Sequence, residues 1–301
     1  MKAVRFSAYG GPDVLCLVDV AGPHAGPGPL RIAVRSVGVN PSDWKRRAGL
    51  YRDFEPLTFP SGVGVEASGV VDEVGPGVTG VSVGDAVFGY GVDTAARFAV
   101  LTHWAHKPGD LPFEVAAGLP VISETAARSL AELEVDAGET LLVCGAAGGL
   151  GTAVLQFARH RGITVIGTAS PQKQDYVTEL GAIPTTYGPG LAARVRTLAP
   201  AGVDRALDLA GQGVIPELIA IVGDASRVLS VADFEASRYG AKFSAGPPKN
   251  PERIFADVVR LWSQGLFRLP VLRVFPLDAV REAHVVSATG HVTGKLVLSV
   301  A

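Results

Sequence analysis

The stretch LLVCGAAGGLGTAVLQFARHRG, residues 141–162, leaves the chain few ways to fold. Leu141, Leu142 and Val143 form a short apolar run of the kind a buried strand needs. Gly145 to Gly151 form a turn with four glycines. Val154, Leu155 and Phe157 then fall near one face of a helix, and Gly162 is placed to end it. Strand, tight turn and helix repeat further on: Thr164–Thr168 with Pro171–Leu180, Arg205–Leu209 with Val214–Val222, Arg227–Val231, and a helix near Glu252–Gly265. This alternation predicts βαβ units and a parallel sheet covered by helices.

Residues 1–110 have another texture. Short β-type segments, among them Leu30–Val37, Ala67–Val74 and Arg97–Leu101, are separated by "GPHAGPGP", "VGPGVTG" and "SVGD". They predict an antiparallel, barrel-like β domain. The closing stretch "GHVTGKLVLSVA" reads as a strand able to rejoin that domain. With 301 residues, 48% of them hydrophobic and 19% charged, the chain can bury one large core or two ordinary ones. A net charge of −2 argues against a polyanionic partner, nucleic acid or anionic membrane. No run is long enough for a transmembrane helix, and MKAVRFSAYGGPDVL reads as a strand, not as a signal peptide. Two cysteines, Cys16 and Cys144, fit a reduced cytoplasmic protein and are too few for a four-cysteine zinc site.

Two readings of the glycine turn stand: a nucleotide cradle or a bare strand–helix connection. In the first, Gly148 lets the backbone approach a pyrophosphate and Gly151 lets the helix pack on the strand, with Ala146 in place of a first glycine. The following strand selects the nucleotide. It ends Thr168-Ala169-Ser170 without the carboxylate that would bind a ribose 2′-hydroxyl. Ser170 and Lys173 follow and suit a 2′-phosphate, so NADP(H) is expected over NAD(H). Ser170 also reads as a helix N-cap before Pro171. Ala210-Gly211 and Val231-Ala232 follow later strands, at the carboxyl edge where such sheets bind ligands.

"VGVNPSDWKRRAGLY" (37–51), "PSGVGVEASGVVDEVGPGVTGVSVGDAVFG" (60–89), "ETAARSL" (124–130), "VCGAAGGLG" (143–151), "ELGA" (179–182) and "GHVTGKLVL" (290–298), in that order, resemble the medium-chain dehydrogenase/reductase superfamily in its zinc-independent quinone oxidoreductase branch. The likeness covers nearly the whole chain. It implies an α/β protein with a doubly wound Rossmann domain, residues 121–267, inserted in a GroES-like β-barrel catalytic domain, residues 1–120 and 268–301. It also implies a cofactor cleft between the domains and a homodimer. Residue by residue, it places Asn40, Tyr51 and Thr125 near the nicotinamide, and Gly148, Gly149 and Leu150 under the pyrophosphate. Ser170, Lys173 and Tyr187 surround the 2′-phosphate, and Lys295 approaches the cofactor across the cleft.

The family's alcohol dehydrogenases hold a catalytic zinc; here Asn40 stands for the first cysteine ligand, Val65 precedes Glu66 where a histidine would, and the structural-zinc lobe is missing. Histidines 24, 103, 106, 160, 284 and 291 supply no convincing ligand set, so no metal is expected. The implied activity is NADPH-dependent reduction of a quinone or an enone, with Tyr51 and Asn40 as candidate catalytic groups. Two rivals stand beside it: an enoyl reductase of a polyketide-like pathway, and a cofactor-binding protein without turnover.

Overall fold

The structure is a computed structural model describing residues 1–300. In chain order it contains β1 (Lys2–Phe6), β2 (Cys16–Asp19), β3 (Leu30–Val39), α1 (Pro41–Arg47), β4 (Ser61–Gly62), β5 (Glu66–Val74), β6 (Ala86–Gly91), β7 (Phe98–His106), α2 (Phe113–Ala117) and α3 (Leu119–Glu132). There follow β8 (Thr140–Cys144), α4 (Gly149–His160), β9 (Thr164–Thr168), α5 (Gln174–Glu179), β10 (Ile183–Thr185), α6 (Leu191–Leu198), β11 (Arg205–Asp208), α7 (Ile215–Val222), β12 (Val228–Ser230) and β13 (Lys242–Phe243). The chain closes with α8 (Pro251–Ser263), β14 (Val271–Pro276), α9 (Val280–Ala288) and β15 (Lys295–Ser299).

Two compact units result. One comprises Met1–Val121, Asn250–Gly265 and the chain from Leu269 on; the other comprises Ile122–Lys249 with Leu266–Arg268. In the first, β3 pairs with β5 along most of its length and, through Leu30–Ala33, also with β7. With β5–β6 and β6–β7 paired as well, the four strands close a ring. Closure leaves no free edge along that stretch. The ring encloses Leu30, Ile32, Val34, Val37, Val71, Val87 and Leu101. β15 pairs antiparallel with β3, Leu296 opposite Val39, so the end of the chain returns to this sheet. β14 lies parallel to β15, outside the stretch 1–110 expected to be antiparallel.

The second unit has one parallel sheet in the order β10-β9-β8-β11-β12-β13, parallel as the alternation predicts and doubly wound as the resemblance implies. Its central strand β8 reads as a continuous apolar run, as a strand covered on both faces does. In β8, Leu141 through Cys144 are all buried. Helix α8 groups with the first unit, although it lies within the stretch 121–267 expected to form the Rossmann domain. Its Phe255 packs on the rings of Phe88 and Tyr90, with centroids 5.5 and 5.6 Å away.

Candidate active site

Beyond β8 the sheet order reverses: β9 and β10 lie on one side, β11, β12 and β13 on the other. Ligands of such sheets bind at this switch point, beyond the carboxyl ends of the strands. The glycine turn stands there. Gly145 takes φ +85°, so it makes the tight bend. A Cβ on Gly151 would meet the Ala146 carbonyl oxygen at 2.3 Å, so only glycine lets α4 start this close to β8. Gly148 differs. Its backbone is ordinary extended chain, φ −76° and ψ 173°, and a Cβ there would have only the Gly145 carbonyl oxygen nearby, at 3.6 Å. A Cβ at Gly148 would therefore make only an ordinary contact, and the protein's own packing does not demand glycine there. α4 starts without a side-chain cap, so the N–H groups of Gly149, Leu150 and Gly151 are left to an outside acceptor.

The end of β9 is braced by Gln174, which the sequence did not mark. Its Nε2 donates to the carbonyls of Ala169 (2.7 Å), Thr185 (3.1 Å) and Ser170 (3.2 Å). Ser170 begins a short 3₁₀ turn, Pro171–Lys173, before α5, and its hydroxyl makes no capping bond. The N-cap reading of the Ser170 side chain thus fails, although its backbone holds that place. Lys173, one turn on, has its pKa lowered by desolvation. Tyr187, on the loop after β10, is 59% exposed.

Two other strand ends owe their shape to a buried pair. Asp208 Oδ1 accepts from the amides of Ala210 (3.0 Å) and Gly211 (3.1 Å). Its Oδ2 accepts from Ser230 Oγ (2.7 Å), which in turn accepts from the amides of Ala232 and Asp233. The loops carrying Ala210 and Val231 are therefore fixed by Asp208 and Ser230. Cys144, next to Asp208, has its thiol pushed up to about 12, by burial first and then by that carboxylate. Thr125 is half-buried in α3, where its carbonyl accepts from Ser129 Oγ.

In the first unit Asn40 ends β3 and opens α1, and it belongs to a buried polar network. Asn40 Nδ2 donates to Glu66 Oε1 at 2.7 Å, and Asn40 Oδ1 accepts from Lys295 Nζ at 2.5 Å. Lys295 also pairs with Glu66 Oε1 at 2.7 Å, and Glu66 Oε2 accepts from the Val121 amide at 2.8 Å. Lys295 is 3% exposed and Glu66 fully buried. Lys295, which the resemblance brings towards the cofactor, meets Glu66 and Asn40 within its own unit. A Cβ on Gly38 would fall 2.1 Å from Glu66 Oε1, so the close approach of β3 to that carboxylate requires glycine. Asp43 Oδ2 accepts from the Asn40 amide at 2.7 Å. Burial pushes Asp43 up to about 7, the Asn40 bond opposing and Glu66 reinforcing the shift. Tyr51 is pushed up to about 12 by burial, then by Asp43 and Glu55, and its ring lies 5.4 Å from that of Phe54.

Among the described residues no three His, Cys, Asp or Glu side chains form a group able to hold a metal ion, and no helix is long and apolar enough to cross a membrane. His103 and His106 part company: the first meets Glu252 at 2.5 Å, the second the Gly80 carbonyl at 2.9 Å.

Comparison with known proteins agrees with this architecture. The alcohol dehydrogenase GroES-like domain matches residues 26–103, and the zinc-binding dehydrogenase family matches residues 186–298. The chain is 35% identical to the pikromycin polyketide synthase component PikAII of Streptomyces venezuelae over 91% of its length, but spans only 8% of that protein. It is 31% identical to the quinone oxidoreductase of Pseudomonas aeruginosa, covering 99% of each. Two solved structures match at full length with a TM-score of 0.87: an NAD-dependent alcohol dehydrogenase, 29% identical, and a mycobacterial protein complexed with NADPH, 28% identical. The chain belongs to the medium-chain dehydrogenase/reductase family, in its quinone oxidoreductase branch.

Proposed function

We propose that the chain is an NADPH-dependent reductase that delivers a hydride to a quinone or an α,β-unsaturated carbonyl compound without a metal. The observation that carries this reading is the turn at the switch point: a glycine, Gly148, that the protein's own packing does not demand, at a helix start with no side-chain cap, beside a strand end with no carboxylate. These residues fit a dinucleotide. A pyrophosphate takes the free amides of α4 and the positive end of its dipole. Ser170 and Lys173, with Tyr187, hold the 2′-phosphate that distinguishes NADPH from NADH, and Ala210 and Val231 line the site at the later strand ends. The likeness to a protein complexed with NADPH supports this choice.

Bound NADPH supplies the hydride. The chain's task is to position the reactants and to meet the charge that develops on the acceptor oxygen. Asn40 keeps one Nδ2–H beyond its bond to Glu66, and Lys295 and Glu66 set the amide's direction. Tyr51 stays protonated at neutral pH and can donate a proton but not accept one. Thr125 completes the set that the family likeness assigns to the nicotinamide end. Donors of this kind suit an acceptor that is already electrophilic and needs no Lewis acid. The likeness to a polyketide synthase component favours a second reading, reduction of an enoyl chain during biosynthesis. We place the protein in the cytoplasm as a homodimer, which sedimentation and fractionation check.

The test is a panel of quinones, enones and enoyl thioesters, run with NADPH and with NADH while the absorbance of the reduced cofactor is followed. Acceptor-dependent oxidation of NADPH, faster than of NADH, is the expected result. A silent panel would leave a cofactor-binding protein without turnover, and faster oxidation of NADH would overturn the reading of β9.

A further inference from the structure

The loop between β10 and α6, Thr186-Tyr187-Gly188-Pro189-Gly190, has a composition that does not hold its own shape. Gly188 and Gly190 both take left-handed φ, +84° and +83°. Its backbone carbonyls take few amide bonds: Leu191 donates to Gly188 at 3.2 Å, and Ala193 and Arg194 donate to Gly190 at 3.1 and 3.2 Å. The order comes from Arg194, in the first turn of α6. Its Nη1 donates to the Pro189 carbonyl at 2.8 Å. Its Nη2 reaches the carbonyls of Thr186 (2.9 Å), Gly188 (3.0 Å) and Tyr187 (3.3 Å). Four consecutive carbonyls thus converge on one guanidinium. A Cβ on Gly190 would come within 3.1 Å of Nη1, which adds a reason for glycine there.

Turning four carbonyls inward fixes the peptide planes between them. It thereby fixes the direction in which the exposed Tyr187 side chain leaves the backbone. The acceptors are neutral backbone carbonyls, with no carboxylate among them. Its Nε is buried with no partner, so its place is set by the loop and not by full satisfaction of its own donors. Gln174 braces the facing wall in the same manner, through the carbonyls of Ala169, Ser170 and Thr185.

We propose that Arg194 is a positioning residue for cofactor selectivity: it holds the Tyr187 loop in the form that accepts the 2′-phosphate of the adenosine ribose. The proposal rests on the NADPH reading above. A lysine cannot replace the residue, because a single ammonium lacks the planar fork that reaches both Pro189 and Thr186.

The experiment titrates NADPH and NADH into the full-length wild type, Arg194→Lys and Arg194→Met. Both variants should bind NADPH about tenfold more weakly, the scale of one good hydrogen bond, and NADH within about twofold of wild type. Unchanged NADH binding also certifies the fold, and the milder lysine variant decides the matter where the methionine variant fails to fold. Wild-type NADPH affinity in Arg194→Lys would overturn the proposal by showing that charge alone suffices. Equal losses for both cofactors would overturn it by making Arg194 a general strut. A wild type that prefers NADH would instead sink the NADPH reading itself, and the proposal with it.

Discussion

Tyr51 is held as a phenol. Burial is the main cause, with the carboxylates of Asp43 and Glu55 adding to it, and together they push the group up to about 12. It can serve only as a donor, and a weaker one than free tyrosine. If it donates in the rate-limiting step, Tyr51→Phe will lower kcat by roughly 10²–10⁴ with KM little changed. A shielding wall predicts less than about tenfold, because solvent then delivers the proton. Steady-state kinetics at saturating NADPH tells the two apart, and the wall is the outcome we expect. Gly148 permits a cleaner test. Its φ of −76° is open to any residue and its Cβ would meet no protein atom closer than 3.6 Å. Gly148→Val should therefore keep the fold, with a thermal midpoint within about 2–4 °C of wild type, while abolishing NADPH binding. Calorimetric titration of the folded variant reads this directly, and unchanged affinity would reduce the turn to a connection. Backbone strain plays no part at this position; the left-handed residue of the turn is Gly145.

At the scale of elements, Glu66 and Lys295 join β5 to β15 across β3, and Asn40 completes the junction at the end of β3. A buried ion pair is costly to break and of little net worth when both members are replaced. Lys295→Met alone should cost about 3–5 kcal/mol in urea denaturation, because it leaves the Glu66 charge unpaired. Glu66→Gln/Lys295→Met should recover most of that loss. A single variant as stable as wild type would mean that water reaches the pair. Little of this junction was legible in the sequence. Glu66 stood out only as the neighbour of a missing metal ligand, and nothing local links it to a lysine near the other end of the chain. Strand β8 was legible because burial on both faces writes an apolar run, Leu141 to Cys144, whereas β9 and β11 carry only two large apolar residues or fewer each and were legible from their place in the alternation. Helix α1 was not, since its buried residues are Asp43 and Arg47 and no apolar stripe marks it. Gln174, Asp208, Ser230 and Arg194 escaped notice for a related reason. Their partners are chiefly backbone groups, whose positions exist only in the folded chain.

Across the whole molecule, two buried groups of the first unit set opposite responses to acid. Burial, aided by Glu66, raises Asp43 to about 7, so the folded chain holds a proton that the unfolded chain releases above its ordinary value of 3.8. Its contribution to stability is full below pH 3.8 and is lost as pH rises through 7. His284 runs the other way. Burial, with the Arg47 cation nearby, lowers it from 6.5 to about 4. Its contribution is present above pH 6.5 and lost as pH falls through 4. Between pH 4 and 6.5 the two slopes oppose each other, each amounting to about 1.4 kcal/mol per pH unit where the folded and unfolded forms differ by a full proton. Removing one member should expose the other. Asp43→Asn is expected to lose stability steeply on acidification through that window. His284→Leu should gain stability relative to wild type over the same range. Urea midpoints taken at half-unit steps, and read as differences from wild type, cancel the exposed carboxylates that all three proteins share. Parallel curves for the wild type and both variants would show that Asp43 and His284 titrate alike in the folded and unfolded chain, which their burial forbids.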